Sequence, residues 1–147
     1  HFLHSRSPPV AHGNLRASSI IQDSHGGVKL SDYSVTGGST SCVTAGCLPW
    51  AAPEVVQQRV AGGEGRLAVD IWSLGCTVIE LATARKPWCG QAALDCLLSN
   101  NDALIPRIPE ALPKSCQAFM KACLVRDPLR RPLITDLRFH RFIMSSR

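Results

Sequence analysis

The sequence is poor in the features that would place it in several common classes of protein. Aromatic residues make up only 5% of its 147 residues, and no two of its seven cysteines have the C-x-x-C spacing of a zinc or redox site. Charged residues or proline interrupt each apolar run before it reaches the length of a membrane span, and the start lacks the basic-then-apolar order of a signal peptide. We therefore expect a cytoplasmic protein with reduced thiols and no membrane contact.

The composition that is present indicates one globular domain. The length suits a single domain with its own core, and 45% hydrophobic with 18% charged residues is typical of a folded rather than a disordered chain. The net charge of +5 comes from basic residues scattered singly, apart from Arg126 and the Arg130-Arg131 pair. This pattern indicates a solvated basic surface rather than a nucleic-acid interface. Because the first residue is histidine, we expect an internal or truncated piece of a longer chain.

Hydrophobic periodicity predicts a mainly helical chain with one small β hairpin. β-branched residues on both sides of Gly26-Gly27 predict a hairpin with strands near residues 19–21 and 28–30. Apolar residues cover the whole circumference of residues 67–83, which predicts a helix buried on all sides. The glycine, serine and threonine of residues 36–44 predict a mobile loop. Further helices are predicted over residues 90–98 and 113–124, and from Pro132 in a first turn through Ile134 and Leu137 to Phe142.

Five sequence patterns occur in one order along the chain and resemble the landmarks of one family. H-G-N-L-R at residues 12–16 resembles the H-R-D-L catalytic loop, and V-K-L-S-D-Y-S at 28–34 resembles the strand that leads into a metal-binding D-F-G turn. W-A-A-P-E at 50–54 is similar to the A-P-E end of an activation segment. D-I-W-S-L-G at 70–75 resembles the start of a central helix. R-D-P-L-R-R-P at 126–132 resembles an R-D-P-x-x-R-P motif near the end of the domain. Together these patterns resemble the C-lobe of the eukaryotic protein kinases.

The resemblance implies a fold class that is mainly α with a minor β hairpin, as in the C-terminal lobe of a protein kinase-like domain. It covers residues 1–147 as one partial domain that begins near the end of helix E, with the activation segment at residues 35–54. Residues 70–83 are most similar to the MAP kinase kinase kinase and Ste20-like group, whereas the D-Y-S turn also fits the pseudokinase domain of general-control translation-factor kinases. Because the N-lobe is absent from these residues, the resemblance implies no cofactor for this chain alone, and ATP with magnesium in a complete domain.

Several positions that carry chemistry in the family differ in this chain. Asn14 stands where the catalytic loop has its aspartate, and an amide cannot accept the substrate proton as a general base. Arg16 stands at the catalytic-loop lysine and keeps its charge, while Ser19 replaces the metal-binding asparagine with a shorter and weaker oxygen ligand. Gly13 replaces an arginine that pairs with activation-loop phosphates in many kinases, and Cys47 replaces a hydroxyl that bridges catalytic side chains. The resemblance therefore implies a degraded reaction centre.

Other positions match the family. Asp32 keeps the carboxylate of the D-F-G turn, so the resemblance implies that it binds nucleotide through magnesium. It also implies an ion pair between Glu54 and Arg131, a cap by Asp70 on backbone N–H groups of the catalytic loop, and a bracing role for His12. Each residue also has a plain interpretation outside the motif, with Asp32 as a turn residue and His12 as a packed core histidine.

A family scaffold around an altered reaction centre predicts a pseudokinase-type module that is not catalytic and that acts by protein binding or by positioning a neighbouring domain. The second interpretation is a fragment of an active Ser/Thr kinase that transfers phosphate from ATP to protein hydroxyls. A truncated or decayed gene product is the third. The expected partner is a protein or a neighbouring domain of the same parent, with no nucleic acid and no membrane.

Overall fold

The computed structural model describes residues 1–33, 46–60, 62, 64–88 and 91–145. In this part of the chain, a two-stranded sheet is followed by helices, so the predicted fold class is confirmed. The strands are β1 (Ile20–Gln22) and β2 (Val28–Leu30). The helices are α1 (Pro53–Val56), α2 (Glu64–Thr83), α3 (Gln91–Leu98), α4 (Lys114–Cys123), α5 (Ile134–Leu137) and α6 (Arg141–Met144).

The β hairpin is antiparallel, as predicted, and it places the segment before β1 beside the segment after β2. Ile20 pairs with Leu30 and Gln22 with Val28, and the Asp23 carboxylate closes the turn by accepting the Gly27 N–H at 2.8 Å. Opposed residues share a face of the sheet, and both faces are uncovered: Val28 is 65% exposed on one of them, and Ile21 is 51% exposed on the other. A two-stranded sheet without cover is marginally stable alone. The loops that flank it must therefore hold it to the helices.

Helix α2 is the centre of the fold, and its middle is buried on every side. Trp72 and Cys76 have no exposed surface, and the buried side chains of the helix lie between Val69 and Ile79. The expectation of complete burial is wrong for the last turn, because Leu81 is 63% exposed. A helix of 20 residues is about 30 Å long, and the described elements pack around its middle rather than its last turn. In the part that the structure describes, no helix has both the length and the apolarity to cross a bilayer.

Helix α4 packs against α2 with the side that its sequence predicts. Four of its residues form the apolar face and are buried, namely Cys116, Phe119, Met120 and Cys123. The two helix backbones approach closely at Gly75, where an added Cβ would lie 2.8 Å from the Cβ of Cys123. Glycine at this position therefore sets the distance between the two central helices.

The prediction of one last helix that starts at Pro132 is wrong. The chain instead forms the short helices α5 and α6, and Pro132 precedes α5 without joining it. His140 interrupts the run with an extended ψ of 141°, and its ring Nδ1 accepts the N–H of Phe142 at 3.2 Å. A side-chain acceptor for an N–H of the first turn is the usual signature of a new helix start. The local cap outweighs the apolar periodicity.

The solvated surface expected for the basic residues is wrong for Arg126 and Arg131, which are both buried. Arg126 donates to the carbonyl oxygens of Leu97 at 3.1 Å and Leu104 at 2.8 Å, and it also reaches those of Cys96 and Ser99. A guanidinium at the end of a helix satisfies carbonyl groups that have no partner within it. Burial lowers the pKa of Arg126. Its place in the fold is to fix the end of α3.

Candidate functional site

The loop that resembles a catalytic loop is held by a carboxylate of α2. Asp70 is buried, and it accepts the N–H groups of His12 at 2.7 Å and of Gly13 at 2.8 Å, one on each oxygen. The ring Nε2 of His4 lies 2.7 Å from the same carboxylate. Gly13 has a φ of +73°, a backbone conformation that glycine adopts without strain. The cap that the resemblance implies for Asp70 is therefore present in the geometry.

The ring of His12 joins this loop to the segment after β2. His12 is buried, and its Nε2 lies 2.9 Å from the carbonyl oxygen of Ser31. Its Nδ1 accepts the N–H of Asn14 at 3.3 Å. Because the carbonyl can only accept and the N–H can only donate, the ring is the neutral tautomer with its proton on Nε2. This ring places Asn14 next to the turn that contains Asp32.

The side-chain amide of Asn14 lies between two other segments. Its Nδ2 donates to the backbone carbonyl of Asp32 at 3.3 Å, and its Oδ1 accepts the thiol of Cys47 at 3.4 Å. The structure thus brings together three positions that lie far apart in sequence. An amide at this point has no basic oxygen with which to deprotonate an alcohol.

Asp32 presents its carboxylate at the surface. The residue is exposed and has a φ of +57°, a left-handed conformation that aspartate tolerates better than most side chains. Its Oδ2 accepts the hydroxyl of Ser31 at 3.3 Å. The next residue, Tyr33, is 57% exposed, so this turn lies at the surface of the described structure.

The hydroxyl of Ser19 is turned into the protein. Ser19 has no exposed surface, and its Oγ donates to the carbonyl of Arg16 at 2.7 Å while accepting the N–H of Arg16 at 3.1 Å. This closed pair of hydrogen bonds shapes the 3₁₀ turn at Ala17–Ser19. The Arg16 Nε is also buried and finds no acceptor among the described residues. The hydroxyl of Ser19 is therefore fixed by the backbone of Arg16.

The residues present fit one magnesium ion better than two. Magnesium takes oxygen ligands in an octahedron, usually one or two carboxylates with phosphate and water oxygens. Asp32 offers an exposed carboxylate, whereas Ser19 is enclosed and uses its hydroxyl on the backbone of Arg16. The described residues contain no cluster of three or more His, Cys, Asp or Glu side chains that could hold an ion alone. Asp32 would hold the ion, which would neutralise phosphate charge, and this role stays a prediction.

The end of the activation segment is tied to α2 by residues that the sequence analysis missed. The Oε2 of Glu80 accepts both the indole N–H of Trp50 at 2.8 Å and the backbone N–H of Ala17 at 2.9 Å. The hydroxyl of Ser73 donates to the carbonyl of Trp50 at 2.9 Å. A carboxylate inside an apolar helix is the signal that would have pointed to Glu80. Residues 34–45, which include most of the predicted activation segment and its mobile loop, lie outside the described residues.

A buried ion pair ties the same segment to the C-terminal part of the chain. Arg131 donates through Nη1 and Nη2 to the two oxygens of Glu54, at 2.6 and 2.7 Å. Its other three N–H bonds go to the carbonyl oxygens of Val125, Ala68 and Arg126. All five donors of the guanidinium are therefore satisfied. The pairing of Glu54 with Arg131 that the resemblance implies is present, and it fixes the start of α1.

Comparison with known proteins agrees with this geometry. Residues 1–143 match the protein kinase domain family. The chain is 34% identical to mitogen-activated protein kinase kinase kinase YODA of Arabidopsis thaliana, over 98% of this chain and 16% of that protein. It is 36% identical to mitogen-activated protein kinase kinase kinase 3 of Arabidopsis thaliana, over 99% of this chain and 24% of that protein. It is 37% identical to mitogen-activated protein kinase kinase kinase A of Dictyostelium discoideum, over 98% of this chain and 15% of that protein.

The chain therefore spans at most about a quarter of the length of these relatives, and 24% is the largest of the three shares. Their names agree with the first of the two subfamilies that the sequence predicts. The chain belongs to the protein kinase domain family, in which it is similar to the mitogen-activated protein kinase kinase kinases.

Proposed function

We propose that this chain is part of a pseudokinase-type module that is not catalytic and that acts by binding a protein or by positioning a neighbouring domain. The observation that carries the proposal is the state of Asn14. Its amide occupies the place of the general base, and both of its ends are engaged, with the Asp32 carbonyl and the Cys47 thiol. The position thus makes structural contacts and has no basic group.

The chemistry of phosphoryl transfer supports this proposal. A kinase orients the substrate hydroxyl with a carboxylate, and general-base assistance of this kind typically contributes ~10²- to 10⁴-fold to the rate. Asn14 can orient a hydroxyl but cannot take its proton. The enclosed hydroxyl of Ser19 is a poor second magnesium ligand as well. The missing general base at Asn14 and the poor magnesium ligand at Ser19 both favour a module that does not turn over substrate.

The scaffold around the centre supports a binding role. The contacts of Asp70 and Glu80 hold the catalytic-loop segment, and the Glu54–Arg131 pair holds the segment at 50–54. These contacts hold in place the surface with which a family member would bind a protein partner. We propose a protein or a neighbouring domain of the same parent as that partner, in the cytoplasm.

Transfer of radiolabelled phosphate from ATP tests the proposal in the full-length protein. We expect no incorporation above a no-enzyme control into the protein itself or into a generic Ser/Thr substrate. Because Asp32 carries the exposed carboxylate of the turn, Asp32→Ala is the matched variant. Incorporation that is present in the natural protein and lost in Asp32→Ala would refute the proposal. Melting with and without ATP and magnesium reports separately whether nucleotide binds.

An active Ser/Thr kinase is the second candidate, and one observation favours it. Asp32 keeps an exposed carboxylate on a turn whose backbone carbonyl accepts the Asn14 amide, and this carboxylate would hold a magnesium ion that neutralises phosphate charge. The relatives are named as kinases of the mitogen-activated cascade. Under this candidate the same transfer assay gives Asp32-dependent incorporation, at a rate reduced by the missing general base.

A further inference from the structure

The contacts of the Asn14 side chain require both a donor and an acceptor. Its Nδ2 faces the backbone carbonyl of Asp32, a group that can only accept a hydrogen bond. Its Oδ1 faces the thiol of Cys47, which donates. The orientation of the amide follows from these two partners, since the reversed orientation would set its oxygen against the Asp32 carbonyl.

We propose that Asn14 is a positioning residue whose amide clips the end of the activation segment and the turn at Asp32 to the catalytic-loop segment. The amide is then a functional replacement rather than a simple loss. This inference goes beyond the absence of phosphoryl transfer and does not depend on it, because it concerns what the amide holds together.

The clip joins three segments of the chain at one side chain. The residues it connects are 18 positions apart on one side and 33 on the other. The Asp32 turn also rests on the ring of His12 through the neighbouring Ser31 carbonyl, and the 46–50 segment also rests on Glu80 through Trp50. Asn14 bridges these two anchored regions. Its loss should therefore loosen both of them locally and leave the helical core folded.

An aspartate at this position cannot make the same contacts. An ionised carboxylate has only acceptors, so one of its oxygens would face the Asp32 carbonyl without a proton between them. Two groups bond the Asn14 side chain, the backbone carbonyl of Asp32 and the thiol of Cys47, while the ring of His12 bonds its backbone N–H. Restoring the kinase-like carboxylate should therefore weaken the clip at neutral pH.

Hydrogen–deuterium exchange of the full-length protein tests the clip. At pH 8 we expect Asn14→Asp to lower the protection factors of peptides covering 31–33 and 46–52 by about tenfold, as for the loss of one hydrogen bond and a new unpaired acceptor. Asn101→Asp is the control, because Asn101 is exposed and uses its Oδ1 to accept the Ala103 N–H, which an aspartate also does. Protection in Asn101→Asp should equal that of the natural protein.

The Asn14→Ala variant separates the clip from the effect of a new carboxylate. It removes both contacts without adding a charge, and it should lower protection in the same two peptides. Normal protection in Asn14→Asp or in Asn14→Ala would overturn the proposal.

Cys47 provides a test from the other side if Asn14→Asp does not fold. Cys47→Ala removes the donor to Oδ1 and should raise exchange in 46–52 more than in 31–33, while Cys47→Ser keeps a donor and should restore protection. Equal exchange in the two Cys47 variants contradicts the clip. These exchange measurements do not depend on phosphate transfer. A protein that transfers phosphate, and whose exchange still changes as expected in the Asn14 and Cys47 variants, would refute the proposed function but not the clip.

Discussion

At Arg131 and at Asn14, several hydrogen-bond partners together require one particular residue type. The guanidinium of Arg131 meets five acceptors in a fixed fork, and its Cζ also lies 5.2 Å from the centre of the Trp72 ring. Lysine offers three donors from one point, so it cannot reproduce these bonds. The partners of Asn14 require a donor at one end of its side chain and an acceptor at the other. At both positions the residue is determined by hydrogen-bond geometry.

Removal of Arg131 should destabilise the protein strongly. Arg131→Ala leaves the Glu54 carboxylate buried without its cation, and loss of one partner of a buried pair typically costs ~3–5 kcal/mol. Urea unfolding should show this loss in the free energy of unfolding, and limited proteolysis should show earlier cleavage near residues 50–54. Arg130→Ala is the control, since Arg130 is exposed. Equal stability of the two variants would mean that the ion pair does not hold this segment.

At the scale of single elements, α2 divides into a polar stripe and an apolar face. Four of its hydrogen-bonding side chains lie at spacings of three and four residues and therefore share one side: Asp70, Ser73, Thr77 and Glu80. The catalytic-loop segment and Trp50 lie against this stripe. Gly75 lies about 140° around the helix from Asp70, where α4 packs. One helix thus positions the site and the core from different sides.

The close approach of α2 and α4 predicts that Gly75→Ala is destabilising. Alanine favours a helix by about 1 kcal/mol over glycine, but its Cβ would lie 2.8 Å from the Cβ of Cys123 and 3.0 Å from the Cγ of Leu124. The Cβ of Cys123 is fixed by its own backbone, so the helices must separate, and overpacking of this kind costs ~1–3 kcal/mol.

Thermal unfolding checks this expectation. Gly75→Ala should melt below the natural protein, whereas Gly62→Ala should melt at the same temperature, because no atom of the described residues outside its chain neighbours lies within 4 Å of the Cβ position at Gly62. A Gly75→Ala variant of equal or higher stability would show that α2 and α4 can move apart at no cost.

At the scale of the whole molecule, the features set by local sequence could be predicted and those set by distant partners could not. The hairpin and the buried face of α4 follow from turn chemistry and periodicity, and both are confirmed. The burial of Arg126 depends on carbonyl acceptors 22 and 30 residues away, which periodicity does not encode. The break at His140 is an exception, because it comes from a local side-chain cap that the apolar periodicity does not show. At the site, the hairpin is the reason why Asn14 and Asp32 lie together.

Only the resemblance implied that Cys47 lies near Asn14, through the hydroxyl that bridges catalytic side chains in the family. Hydrophobic periodicity carries no information on this contact, because 33 residues separate the two. Glu80 was missed for a related reason. Its place in the periodic pattern of α2 indicated only a helical turn, whereas its two partners precede Glu80 by 30 and 63 residues. Functional contacts of this kind require the tertiary fold.

The thiols in the core give the whole molecule a predictable response to alkaline pH. Burial raises the pKa of Cys123 from 9.0 to about 12, and burial also raises the pKa of the adjacent Cys76. Both groups stay protonated in the folded protein, while the unfolded chain loses their protons above pH 9. A raised folded pKa means that this stability is complete below pH 9 and is lost as the pH rises towards about 12.

The free energy of unfolding should therefore fall above pH 9, by at most about 1.4 kcal/mol per pH unit for each thiol. Urea titrations between pH 8 and pH 10.5 measure this slope. Lysine and tyrosine also titrate in the range, so the comparison that isolates the thiol is the natural protein against Cys123→Ala. The alanine variant begins from a lower stability, because it leaves a small cavity, and it should lose stability less steeply. Parallel slopes in the two proteins would place the Cys123 thiol in contact with solvent and contradict the packing of α4 against α2.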